Sequence, residues 1–155
     1  MAGLPTRRVP SVVVAVLAVV VFAAGCGSSK SDADKVKEVV TGFLGNVADG
    51  KGDAACAVLT GDAVRSLSGA AFLLRAPASC PDAIKTINKE LSSDEKKALK
   101  SAKVNKVTVN RDRATVADND IQIELSGRTA LFRNNDPRPL ELQKVGDNWR
   151  IASLG

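Results

Sequence analysis

The hydrophobic period of this 155-residue chain changes once, near Val104, and that change limits what it can fold into. Between Val36 and Leu91 apolar residues recur at three- and four-residue spacing, whereas from Val104 onward they alternate with polar neighbours. Helical periodicity followed by strand periodicity predicts an α+β domain, with helices built first and an antiparallel sheet last. The opening helix carries Val36, Val39, Val40, Phe43, Leu44 and Val47 on one face; Ser31 or Asp32 caps it and Gly50 ends it.

Shorter elements follow. Asp53 to Leu59 forms one, and Thr60 begins a second helix running to about Leu67. Ala70 to Leu74 reads as an apolar loop, and Pro77 to Pro81 as a corner. Pro81 suits the first turn of a helix whose buried stripe is Ala83, Ile84, Ile87 and Leu91. Ser93 then offers a cap for a polar helix over Asp94 to Ala102, with Asp94 and Glu95 complementing the helix dipole.

The strand region is punctuated at short intervals. Val107 and Val109 alternate, Asn110 to Arg113 turns, and Ala114 and Val116 alternate again. Ile121, Ile123 and Leu125 lie in the opposite phase, which requires a bulge or turn at Asp118-Asn119-Asp120. Thr129 to Arg133, Leu140 to Val145 and Trp149 to Leu154 complete a curved sheet of four to five strands.

The first 25 residues do not belong to this domain. Arg7 and Arg8 precede an apolar run from Val12 to Ala24, and Gly25 and Cys26 follow it. Two cations, a short apolar core and small residues at its end describe an export signal. Val12 to Gly25 is 14 residues, short of the roughly 18 to 20 that span a bilayer. Phe22-Ala23-Ala24-Gly25-Cys26-Gly27 resembles the lipobox of bacterial lipoproteins, with Ala23 where Leu is usual. The resemblance implies a diacylglycerol on the Cys26 thiol, which becomes the new N-terminus on the extracytoplasmic face of the cell membrane. Ordinary cleavage and secretion is the rival reading. Pro10 and Ser11 stand where a twin-arginine signal wants apolar residues. Residues 26–31 form a small, polar tether, and residues 32–155 one domain.

The mature chain keeps 20 basic and 17 acidic residues, interleaved as in Asp94-Glu95-Lys96-Lys97. It carries only four aromatic residues, Phe43, Phe72, Phe132 and Trp149. Neither a basic patch nor a stacking platform for nucleic acid is present in the sequence. With Cys26 lipidated, Cys56 and Cys80 remain in an oxidising compartment and are expected to pair; two separate buried thiols are the alternative. Closing that loop would stabilise the fold by roughly 3.5 kcal/mol before strain is subtracted.

Asp49-Gly50-Lys51-Gly52-Asp53, Ala54-Ala55-Cys56-Ala57-Val58-Leu59-Thr60, Ser79-Cys80, Asn110 to Val116 and the closing Gly146-Asp147-Asn148-Trp149-Arg150-Ile151 resemble exported actinobacterial lipoproteins of the nuclear transport factor 2-like superfamily. The likeness spans about residues 33 to 154 and implies an α+β cone, a bent sheet wrapped on the first helix with a pocket at its wide end. Family isomerases and dehydratases use an Asp base with a Tyr, His or protonated carboxyl group at the oxyanion. This chain has no His and no Tyr, which excludes a Ser-His-Asp arrangement and a His-containing metal site.

Four residues are candidates for the pocket. Asp118 and Asp120, with Glu124 beside them, could place one carboxylate toward a cavity, with a solvated turn as the rival reading; Asp118-Asn119-Asp120 lacks the rest of a calcium loop. Trp149 stacks on a ligand or packs on the first helix, and Phe72 covers the pocket or plugs it. The reading favoured is a non-catalytic, membrane-tethered module without cofactor or metal, binding a small apolar ligand, an envelope partner or a second copy. An isomerase or dehydratase using a pocket carboxylate is the alternative.

Overall fold

The computed structural model describes residues 30–73, 79–124 and 138–154. The expected signal segment, Cys26, Leu125 and the strand at Thr129 to Arg133 lie outside them. Helix α1 (Asp32–Asp49) begins at Ser31, whose hydroxyl accepts from the Asp34 amide, and ends at Gly50 in the left-handed conformation with φ 68°. The Gly50 and Lys51 amides close its last turn on Asn46 and Val47 carbonyls. Its inward face, Val36, Val40, Phe43, Leu44 and Val47, is the spine of the core.

Three helices pack on this spine, α2 (Gly52–Ala57), α4 (Cys80–Glu90) and α5 (Ser93–Lys100), and α3 (Gly61–Leu73) packs in turn on α4. The backbone at residues 70–73 is helical, so the apolar loop expected there is corrected to the last turn of α3. Gly69 costs a helix only about 1 kcal/mol relative to Ala, and no proline follows it until Pro77, so helical propensity carries through. Ser92, not Ser93, caps α5; its hydroxyl and the Glu95 carboxylate reciprocally satisfy backbone amides, and Ala98 and Leu99 give this charged helix a buried side.

The sheet follows in two parts. Strands β1 (Lys103–Val104) and β4 (Ile121–Gln122) pair with each other, while β2 (Thr108–Asn110), β3 (Arg113–Val116), β5 (Leu140–Val145) and β6 (Asn148–Ser153) form a curved antiparallel sheet in the order β2-β3-β5-β6. Asp118–Asp120 is a 3-10 turn between β3 and β4, which accounts for the change of phase there. Val107 precedes β2 and Ile123 follows β4, both half-buried. Registers Ala114↔Leu142, Val116↔Leu140 and Leu142↔Ile151 line up the inward residues, and all of these are buried against the helices. The opposite face is polar, with Arg113, Gln143 and Arg150 in one row and Thr115 and Glu141 in the next. Beyond β6, the segment at Val58 to Thr60 makes a parallel bridge: the Ile151 amide donates to Val58 and the Thr60 amide to Ile151, each at 2.8 Å.

Helices α2 and α4 are joined side by side. Cys56 and Cys80 stand at disulfide distance, their Cα atoms 6.1 Å apart. At Gly52 a Cβ would lie 2.4 Å from the Pro81 carbonyl oxygen, so the backbones meet where only glycine fits. Asn88 of α4 donates to the Val47 and Ala48 carbonyls at 3.1 and 2.7 Å, satisfying acceptors that the end of α1 leaves open. Hydrogen bonds from Lys100, first, and Lys51 hold the Asp49 carboxyl down to about 2.

Two outcomes test this packing. Gly52→Ala is expected to destabilise by about 1–3 kcal/mol in urea titration, as overpacked cores do. Asp49, depressed in the folded state, contributes stability that is complete above its unfolded value near 4 and disappears as pH falls through about 2. Asp49→Asn should therefore lower the melting temperature at pH 6 and flatten its decline between pH 4 and 2.

Candidate groove between the first helix and the last strand

A groove of about 460 Å³ runs along the solvent side of α1. Lys35, Glu38, Val39, Gly42 and Asn46 supply one wall; their spacing places them on one helical stripe. Ala57 and Val58, at the end of α2, and Asp147 to Arg150, at the start of β6, supply the other. Its floor is apolar, through Val39, Val58 and Trp149, and its rim bears charges of both signs. The residues of α1 that line it, Lys35 to Asn46, span about 16 Å of helix rise.

Trp149 is 3% exposed and connects the groove to the core. Its Nε1–H donates to Asp32 Oδ1 at 3.1 Å, and Lys144 Nζ donates to both oxygens of Asp32 at 3.2 and 3.1 Å. Lys144 also lies 5.8 Å from the centre of the indole ring, a cation–π distance. The bond from Trp149, more than those from Lys144, keeps the Asp32 carboxyl below its ordinary value. Chain order explains the arrangement: the Gly146–Asp147 turn, with Gly146 at φ 61°, reverses β5 into β6 and puts Lys144 opposite Trp149. Asp32 sits in the first turn of α1, where a carboxylate also favours the helix dipole.

Gly42 is the sequence signal for this groove; Gly45, the other glycine inside α1, does not line it. Glycine inside a helix costs about 0.5–1 kcal/mol against alanine. Neither position has a heavy atom of its surroundings within 4 Å of where a Cβ would stand, so close packing within the chain does not require them. At Gly42 the helix backbone is bare along the groove.

The residues expected in a pocket are not brought together. Trp149 lines the groove and packs on α1 at the same time. Asp118 and Asp120 lie in the 3-10 turn and do not line it; Asp120 accepts the Asn105 amide at its own carbonyl. Phe72 lies in the last turn of α3, and its side chain is outside the description. Lys35, Glu38, Val39, Gly42, Asn46, Ala57, Val58, Asp147, Asn148 and Arg150 were not singled out from the sequence, because they mark a surface between elements distant in the chain. Among the described residues no three His, Cys, Asp or Glu side chains converge as a metal site, and no helix is long and apolar enough to cross a membrane.

Trp149→Phe removes the donor to Asp32 and also trims a buried ring, so it is expected to lower stability at pH 7 in chemical denaturation. Because Asp32 is depressed in the folded state, its contribution is full above the unfolded carboxylate value and fades as pH falls below it; the gap between variant and parent should narrow toward pH 2. Comparison with known protein families, characterised proteins and solved structures finds no match for this chain.

Proposed function

We propose that this chain is a membrane-tethered, extracytoplasmic lipoprotein whose domain, of the nuclear transport factor 2-like type, is a non-catalytic binding module. The groove beside α1 is its ligand site, and a small apolar molecule its ligand. The observation that carries this reading is the groove itself: an apolar floor built on Val39, Val58 and Trp149, beside a bare stretch of helix at Gly42. Pockets with an apolar lining and a few polar groups at the margin are the usual form of small-molecule sites.

Three further facts support it. The chain has no His and no Tyr, and the carboxylates of Asp118 and Asp120 stand outside the groove, so the pairing of an Asp base with a His or Tyr is not available to it. The outward face of the four-stranded sheet is polar, which makes the groove a better contact surface than the sheet. The signal-like segment ending at Gly25-Cys26 supplies the tether, and the long first helix against a curved sheet agrees with the proposed fold type. No step of bond making or breaking is assigned to the domain.

The test is native mass spectrometry of the protein extracted from its own membrane. The expected mass is that of the chain beginning at Cys26 with added acyl groups, the Cys56–Cys80 bond closed, and a non-covalent small molecule retained. Metabolic labelling with a fatty acid should mark the parent chain and leave Cys26→Ala unlabelled. An unlabelled parent recovered from the cytosol would overturn the anchor and the compartment together.

A further inference from the structure

We infer that the groove takes a single-chain anionic amphiphile, with its alkyl chain along the Val39–Gly42 stretch of α1 and its charged head between Lys35 and Arg150. The inference rests on the groove being the ligand site and on the anchor at Cys26.

Shape comes first. The groove is long for its volume, about 16 Å along the helix for about 460 Å³ in all. A slot of these proportions admits one extended chain more readily than a compact ring system. Gly42 lets that chain lie directly on the helix backbone, because no side chain stands above it and nothing of the protein lies within 4 Å of its Cβ position.

Charge follows. Of the two acids at the rim, Glu38 is already paired with Lys30. Lys35 approaches only Asp32, at 3.9 Å, and that carboxylate is already occupied by Lys144 and Trp149. Arg150 has no acidic partner among the described residues. Lys35 and Arg150 thus retain cationic charge against Asp147 alone, and the balance favours an anion.

Location agrees with both. The described chain enters at Lys30, which pairs with Glu38 on the rim. Three residues lie between Cys26 and Lys30, and the four backbone steps from one to the other reach at most about 14 Å. The groove of an anchored molecule therefore stays close to a bilayer, where single-chain amphiphiles are concentrated. The same chemistry is presented by a free fatty acid and by a lysophospholipid with an anionic head.

Trp149 is the chain's sole tryptophan and there is no tyrosine, so intrinsic emission reports on this one residue between the groove and the core. The lipidated protein in a neutral detergent would be titrated with dodecanoate, lauroyl-lysophosphatidylglycerol and dodecyltrimethylammonium. The expected result is a saturable change of emission with at least one of the two anions, at a concentration at least tenfold below that needed for the cation; which anion binds tighter identifies the source. Gly42→Leu should raise the half-saturation point at least tenfold while melting at or above the parent temperature, since leucine is the better helix former. Lys35→Gln with Arg150→Gln should erase the preference for anions, by weakening the binding of both anions and tightening that of the cation.

Equal binding of anion and cation, still blocked by Gly42→Leu, would overturn the charge assignment and keep the groove as the ligand site. Saturable binding untouched by Gly42→Leu would overturn the groove itself. Absence of any response, with a different molecule found in the native mass spectrum, would overturn the amphiphile alone.

Discussion

Burial of one face of α1 is the constraint on which this fold depends. Val36, Val40, Phe43, Leu44 and Val47 are withdrawn from water by elements from every later part of the chain, including Leu99 of α5, Val104 of β1 and Ile151 of β6. Each such side chain contributes roughly 1.5–3 kcal/mol when fully buried. A helix of this kind gains little from its own hydrogen bonds in isolation, so the sheet and the surrounding helices stabilise it as much as it stabilises them.

Polar contacts then fix where α1 lies and how it is oriented. Asp32 at its start is held by Trp149 and Lys144, and Asn88 and Lys100 hold its end through the Val47, Ala48 and Asp49 groups. These contacts use the two ends of the helix, where backbone groups and dipole leave unmet demand. The middle, on its outer side, is left open at Gly42, and there the groove is found. Anchored ends and a bare middle make the groove's wall at that point a stretch of helix backbone.

Much of the architecture was legible from pattern. The bounds of α1, its Ser31 cap and Gly50 stop, the Pro81 start of α4, and the pairing of β5 with β6 through Gly146 all follow from local rules that act within a few residues. The extension of α3 to Leu73 was missed because a glycine beside an apolar cluster reads as a break, while the helix tolerates it. Ser92 was passed over for Ser93 because the two serines are equivalent until the Glu95 side chain selects the one three residues before it. Trp149 was found through its alternation with Ile151, but its partner Asp32 is 117 residues away, and no local spacing connects them. The groove is hidden for the same reason: its walls come from α1, α2 and β6, and sequence order does not bring these together.

The bridge from Val58 to Thr60 along β6 bears on how copies of this chain meet one another. Open sheet edges template the addition of further strands. Here one border of the sheet is sealed by the chain's own backbone, while β2 on the other side is only three residues long and ends in Asn110 beside Arg111 and Arg113. Copies at high concentration would stay dispersed instead of zipping into fibrils.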